Sequence, residues 1–453
     1  MTPKQMIINQ STLLLALLLA PMIASADEPA FDIYAKASSD KPLASAPLHA
    51  PKLSRQDNAT LHLGIIREQT ENVETTGFFG AIFASDDPIN ATLLQDLDIF
   101  TTIYQDLPIA AEGMHLRGQI YKKIDQPEAA LVSWLQTIAE FPKSSAARKA
   151  QADIELSLAG DLKHFYEVMN GIIANFPAGN APTRLNYLIN KLYPLENIKL
   201  SQALTQLQVS FLKRFADDAH ADEVQVLLAH NQGAASAEGG IFGFKKVLAL
   251  YPNSSYRPEA MLAIADLQRL RLKAYEKASS NYRILIAEFP NHELSKLAYQ
   301  NLALTLNEHL RDYPEAIVVL GDIVKKYPKD KAALEALQTM ARLQAKKTDQ
   351  PREAVTTLRK LAMMFKGYEA TDALSDAIKI SERTLKDDAL TLSLREQIVR
   401  DFPTSNEAPI ALFDMAEYVD KTEKNQEKAK VLYGQLVQAY PEHKLAAEAK
   451  KRL

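Results

Sequence analysis

The chain contains no cysteine in 453 residues. Disulfides and thiolate-held metal sites are therefore excluded, and the fold must be stable through packing alone. The same absence rules out an acylated cysteine as a membrane tether. Basic excess is also missing: 52 lysines and arginines stand against 56 acids, a formal net charge of −4. A nucleic-acid binder carries a basic stripe, and none is found; the weak acidic balance bears only on solubility. Glycine is scarce at 15 residues, while alanine and leucine dominate the second half, so the composition leans helical.

Chemical signatures are equally sparse. The nine histidines are scattered, and none forms His-x-x-x-His or His-Glu-x-x-His. There is no Gly-x-Ser-x-Gly elbow. Carboxylates are numerous, yet nothing selects a catalytic pair. The densest ligand-like cluster, Asp217, Asp218, His220, Asp222 and Glu223, falls at a turn and reads as solvated surface. The patch "EGGIFGF" (238–244) places two glycines before a helix, but no strand precedes it and Lys245 and Lys246 follow in the wrong frame for a phosphate loop. No metal or cofactor is expected, and no enzymatic activity.

At the amino terminus, Lys4 precedes the apolar run "LLLALLLA" (13–20), Pro21 and the small-residue site Ala24-Ser25-Ala26. That is the three-part form of a secretory signal peptide, with cleavage expected after Ala26. The run is too short to span a bilayer, and no later stretch approaches that length. A mature protein outside the cytoplasm is expected, touching a membrane only through a partner. Residues 27–58, rich in alanine, proline, serine and lysine, read as a mobile tail. Residues 59–97, with the apolar island "GFFGAIFA" (77–84), read as a cap or linker ahead of a repeat array over 98–453.

What the chain has in abundance is one punctuation mark. Aromatic-proline pairs occur at Phe141, Phe176, Tyr251, Phe289, Tyr327, Phe402 and Tyr440, and Phe215 and Phe365 fill the two gaps. Successive aromatics lie 35, 39, 36, 38, 38, 38, 37 and 38 residues apart, a period that means stacked structural repeats. Tyr193-Pro194 and Tyr313-Pro314 are out of phase; the second suits the first turn of a helix, where proline's missing N–H costs nothing. Small residues keep the same phase. Eleven before the aromatic stand Ala130, Ala278, Ala316, Ala354 and Ala429, and nine after it Ala150, Ala260, Ala298, Ala336, Ala411 and Ala449. A third series follows at Ala265, Ala303, Ala341 and Ala416, with bulky apolar neighbours such as Ile264, Leu302, Leu337 and Met415. Small and bulky residues at helical spacing describe tightly packed helices. Each unit reads as two helices, the second ending at the aromatic, with Asp330, Thr404 or Asn253 placed to cap the next. Trp134, Tyr282 and Tyr433 share one phase and read as core.

The pattern resembles the tetratricopeptide repeat through Ala303, Ala316 and Pro328, Ala341 and Ala354, and Ala416, Ala429 and Pro441. The resemblance is weak between Phe176 and Phe215. These units exceed the usual 34 residues, which reads as about one added turn at the start of the first helix. Long units closing on "EFP" or "YP" look like exported bacterial members, such as those of outer-membrane assembly and of the Tol-Pal-associated division coordinator. The implied fold is all-α: an α-solenoid of about nine hairpins in a right-handed superhelix. By the family's phase Asp266, Arg269, Gln300, Asn307, Gln338, Arg342, Phe413 and Glu417 should face a concave groove that binds another envelope protein or peptide. The expected function is that of a periplasmic scaffold. A cell-wall or exported polysaccharide is the alternative ligand, which groove aromatics would favour. A lytic-transglycosylase-like enzyme would need a further globular domain.

Overall fold

The computed structural model describes residues 53–71, 88–160, 162–195 and 197–453. The expected signal peptide, nearly all of the tail, and the 77–84 island lie outside the described residues. The chain divides into Met1–Ser54 and Arg55–Leu453, and the second unit carries the elements below.

Every regular element among the described residues is helical. Helices α1 (Arg55–Glu71) and α2 (Pro88–Ile103) precede nine hairpins that form an α-solenoid. The first three hairpins are α3 (Ala110–Lys123) with α4 (Pro127–Glu140), α5 (Ser145–Ala159) with α6 (Tyr166–Ala174), and α7 (Ala181–Leu192) with α8 (Ile198–Arg214). The middle three are α9 (Ala221–Ala235) with α10 (Ala237–Leu250), α11 (Arg257–Leu270) with α12 (Tyr275–Glu288), and α13 (Glu293–Leu304) with α14 (Tyr313–Lys326). The last are α15 (Lys331–Lys346) with α16 (Pro351–Met364), α17 (Tyr368–Ile380) with α18 (Asp388–Asp401), and α19 (Glu407–Lys421) with α20 (Gln426–Ala439), followed by α21 (Lys444–Lys450).

Two expected boundaries move. Helix α1 begins at Arg55, inside the stretch read as tail, because Arg55 pairs with Asp106 at 2.8 Å and donates to the Ile103 carbonyl. Ala59, Leu63 and Ile66 then bury one face against Leu97, Phe100 and Tyr104. Asp98, expected to open the array, instead lies in mid-helix, since α2 begins at Pro88.

The recurring aromatic is a compound hinge. Phe141, Phe215, Tyr251, Phe289, Tyr327, Phe402 and Tyr440 each end their helix with an N–H bond to the carbonyl four residues back. Their own carbonyls then accept from the residue three positions on: Ser144, Asp218, Ser254, His292, Asp330, Ser405 and His443, at 3.0–3.1 Å. Proline occupies the second place of this turn in all but the Phe215 unit, where its fixed φ fits and no N–H is needed. Several fourth residues double as caps: Ser144 accepts from Ala147 N at 3.0 Å, and Asp330 from Ala332 N at 2.9 Å. Asn253 and Thr404, expected as caps, stand one residue too early, and Ser254 and Ser405 take the turn position. Where proline is missing after Phe365, Gly367 makes the connection at φ 85°. Tyr193-Pro194 lies in the turn within the third hairpin.

Inside the hairpins a second periodic feature appears. Asp125, Lys273, Arg311, Asp349, Lys386 and Lys424 all adopt positive φ, between 50° and 58°. Each stands sixteen residues before its closing aromatic. This left-handed residue ends the first helix as glycine usually would.

The periodic alanines are all buried, and so are Trp134, Tyr282 and Tyr433. Trp134 occupies space that a side chain at Gly118 would need: a Cβ there would stand 2.2 Å from Trp134 Nε1. The glycines of "EGGIFGF" have the same use. They lie within α10, not before it, and a Cβ at Gly240 would meet Gly233 Cα at 2.5 Å. They let α9 and α10 cross in near backbone contact.

Candidate functional site

The eight residues expected in the groove separate into distinct groups. Gln300 and Asn307, from α13 and the π-helical turn Thr305–Leu310 that extends it, face Arg342 of α15 across a depression of about 200 Å³. Glu308, Glu335 and Thr339 join them, over a floor that includes Ala303, Leu320 and Ala336. Arg342 is exposed and forms no ion pair among the described residues. Gln338, on the same helix, is exposed but outside this lining.

Asp266 and Arg269 are committed elsewhere. Asp266 accepts from Tyr282 Oη at 2.5 Å and from Asn301 Nδ2 at 3.0 Å, and Arg269 Nε donates to Tyr282 Oη at 3.0 Å. This network ties α11, α12 and α13 together. Burial, then the hydrogen bond to Asp266, raises the Tyr282 pKa well above its ordinary value. The two residues therefore fix one hairpin to the next. Phe413 does not face the solvent: it is 7% exposed and packs edge-to-face on Tyr433 at 5.7 Å. Glu417 is half-buried and bonds Lys421 of its own helix at 2.6 Å.

The acidic turn after Phe215 is held by hydrogen bonds within itself and from α7. His220 Nδ1 lies 2.7 Å from Asp218 Oδ1, and Glu223 accepts from Asn186 at 2.9 Å. No cluster of three or more potential metal-ligating His, Cys, Asp or Glu residues occurs among the described residues.

A larger concavity lies on the second helices near the amino-terminal end. Helix α6 has 9 residues against 14 in α4, and α8 packs directly on α4. The third hairpin thus grips the first: Arg184 of α7 donates to the Ala139 carbonyl, and Arg214 of α8 pairs with Glu140. That pair is almost fully buried, at 3% and 0% side-chain exposure. Arg214 Nη1 reaches Glu140 Oε1 at 2.7 Å, and Gln136 donates to the same oxygen at 2.7 Å. Arg117 extends the network to Gln136 and, at 2.8 Å, to Asp98 of α2. Between α2, α4 and α8 a cavity of about 500 Å³ remains, joined through Ala129, Ala203 and Gln206 to a second of about 230 Å³. The faint repeat pattern between Phe176 and Phe215 was the sequence's one sign of irregular stacking here.

Residues 259–292 and 297–330, which span the hairpins α11–α12 and α13–α14, match the sequence model of the tetratricopeptide repeat family. The second match opens at residue 297, four residues after α13 begins; those four residues are the added helical turn. No curated protein matches the chain. Among solved structures, it is similar to a tetratricopeptide repeat protein from Parabacteroides merdae at 14% identity and a TM-score of 0.31, over 59% of this chain and 98% of that one. Human IFIT1, solved as a dimer with PPP-AAAA, gives 16% identity and a TM-score of 0.27, over 87% and 94%. Yeast Tom70 gives 14% and 0.22, over 88% and 95%.

Proposed function

We propose that this protein is a non-enzymatic scaffold that holds a segment of another protein in the groove between α13 and α15. The observation that carries the reading is the convergence of Gln300, Asn307 and Arg342 on an apolar floor. Amide side chains both donate and accept, which suits a peptide backbone, and Arg342 offers a cation with no ion pair among the described residues. The lining includes no aromatic ring, which favours a peptide over a polysaccharide. The amino-terminal signal pattern supports a place in the bacterial periplasm, so the partner is a cell-envelope protein, in envelope biogenesis or division.

The test is a pull-down from envelope extract with the mature chain and with Arg342→Glu. A protein retained by the wild type and lost by the variant is expected. Retention of glycan alone, or of the same protein by both, contradicts the proposal.

A further inference from the structure

The cleft on the second-helix face has a built interior that the groove does not use. Glu128, in the first turn of α4, is 8% exposed, and its Oε2 has no hydrogen-bond partner among the described residues. Leaving a carboxylate oxygen buried and unpaired is costly. Glu128 lines the smaller cavity, where Asp125 adds a second carboxylate and Lys199 the only cation. Gln206 accepts from Tyr121 Oη at 2.9 Å through its oxygen, and its amide N–H groups make no hydrogen bond among the described residues.

The far end has the opposite character. In the larger cavity Arg117 is already satisfied by Asp98, Ser133 and Gln136, whereas Lys213 forms no ion pair among the described residues. From Glu128 to Gln136 the axis of α4 advances roughly 12 Å, the length of about four extended residues. The channel is therefore an acidic end and a basic end separated by apolar and amide walls, at the scale of a short peptide.

We propose that this cleft is a second binding site, for an extended segment of a partner polypeptide whose lysine or arginine reaches Glu128. The basic side chain supplies the missing donor to Oε2, and the backbone lies between α4 and α8. A carboxylate further along the segment meets Lys213. The site depends on the contact between the first and third hairpins and is independent of the groove between α13 and α15.

The test uses the full chain and two fluorescein-labelled degenerate heptapeptide pools, one with lysine at its centre and one with norleucine, read by anisotropy. The wild type should bind the lysine pool about tenfold or more tighter, the size of one charge-assisted hydrogen bond. Glu128→Gln should erase that preference. Ala129→Phe, filling the junction of the two cavities, should erase the same preference even if Glu128→Gln proves unstable. Arg342→Ala, in the other groove, should leave the lysine preference in place, which separates this site from the groove. Equal binding of the two pools, no binding by the wild type, or an unaltered preference in a folded Glu128→Gln variant would each overturn the proposal.

Discussion

Replacing Arg214 with methionine removes the charge that neutralises Glu140 while keeping much of the volume. Because the Glu140 side chain is 0% exposed, the carboxylate cannot turn to water. Breaking a buried pair from one side costs about 3–5 kcal/mol. Gln136 still donates to Glu140 at 2.7 Å, which places the loss near the lower limit, about 3 kcal/mol. In a stacked array such a loss stays local, since each hairpin leans mainly on its neighbours. Hydrogen exchange followed by mass spectrometry should therefore show α4 and α8 exchanging on the order of a hundredfold faster, with α15 to α20 unchanged. Adding Glu140→Gln removes the stranded charge and should restore protection to within roughly 1 kcal/mol of the wild type. Unchanged exchange in α4 and α8, or an equal rise along the whole chain, would refute the reasoning.

Three further outcomes follow from the packing. Gly118→Ala should cost about 2 kcal/mol in thermal melts despite alanine's better helix propensity, because its Cβ collides with the indole; Trp134→Tyr, the residue found at the equivalent positions 282 and 433, should recover part of the loss. Burial lowers the His62 pKa from 6.5, opposed by the weaker effect of Asp96, so the folded state holds the ring neutral and the unfolded chain takes up the proton first. Stability of α1 should then be full above pH 6.5 and decline as the pH falls below it; exchange of α1 against pH checks this, and a His62→Phe variant should be flat. Lys273→Gly and Lys424→Gly should each raise stability by about 0.5 kcal/mol, since the left-handed backbone is strained for a side chain; a drop in the denaturation midpoint would show that the side chains matter more than the φ angle.

Most of the architecture was legible because it rests on steric facts that particular residues cannot evade. A proline after an aromatic cannot continue a helix, and an alanine recurring at one phase marks a close backbone approach; both survive in nearly every unit. The left-handed turn residues were not legible, since Asp125, Lys273 and Arg311 carry no glycine to mark them. In the groove, phase put Gln300, Asn307 and Arg342 on one face, and the three line one depression. It could not tell that Asp266 and Arg269 find Tyr282 and Asn301 on adjoining helices, because such bonds depend on rotamers across a crossing. Phe413 was misplaced for the same reason: a ring on the border of a face turns toward the nearest core, here Tyr433. The cleft between α4 and α8 needs the first and third hairpins to touch over a short α6, a contact that the faint pattern between Phe176 and Phe215 marks as irregular but does not specify.

The most direct test of the scaffold reading places a photoreactive amino acid at one of two positions and illuminates the chain in envelope extract. Asn307 lines the groove, whereas Val318 is exposed on the second helix of the same hairpin. Cross-linking to one discrete protein from position 307 and not from 318 is the predicted result. Capture from 318 with silence at 307 would mean that the groove is only a solvated inner face.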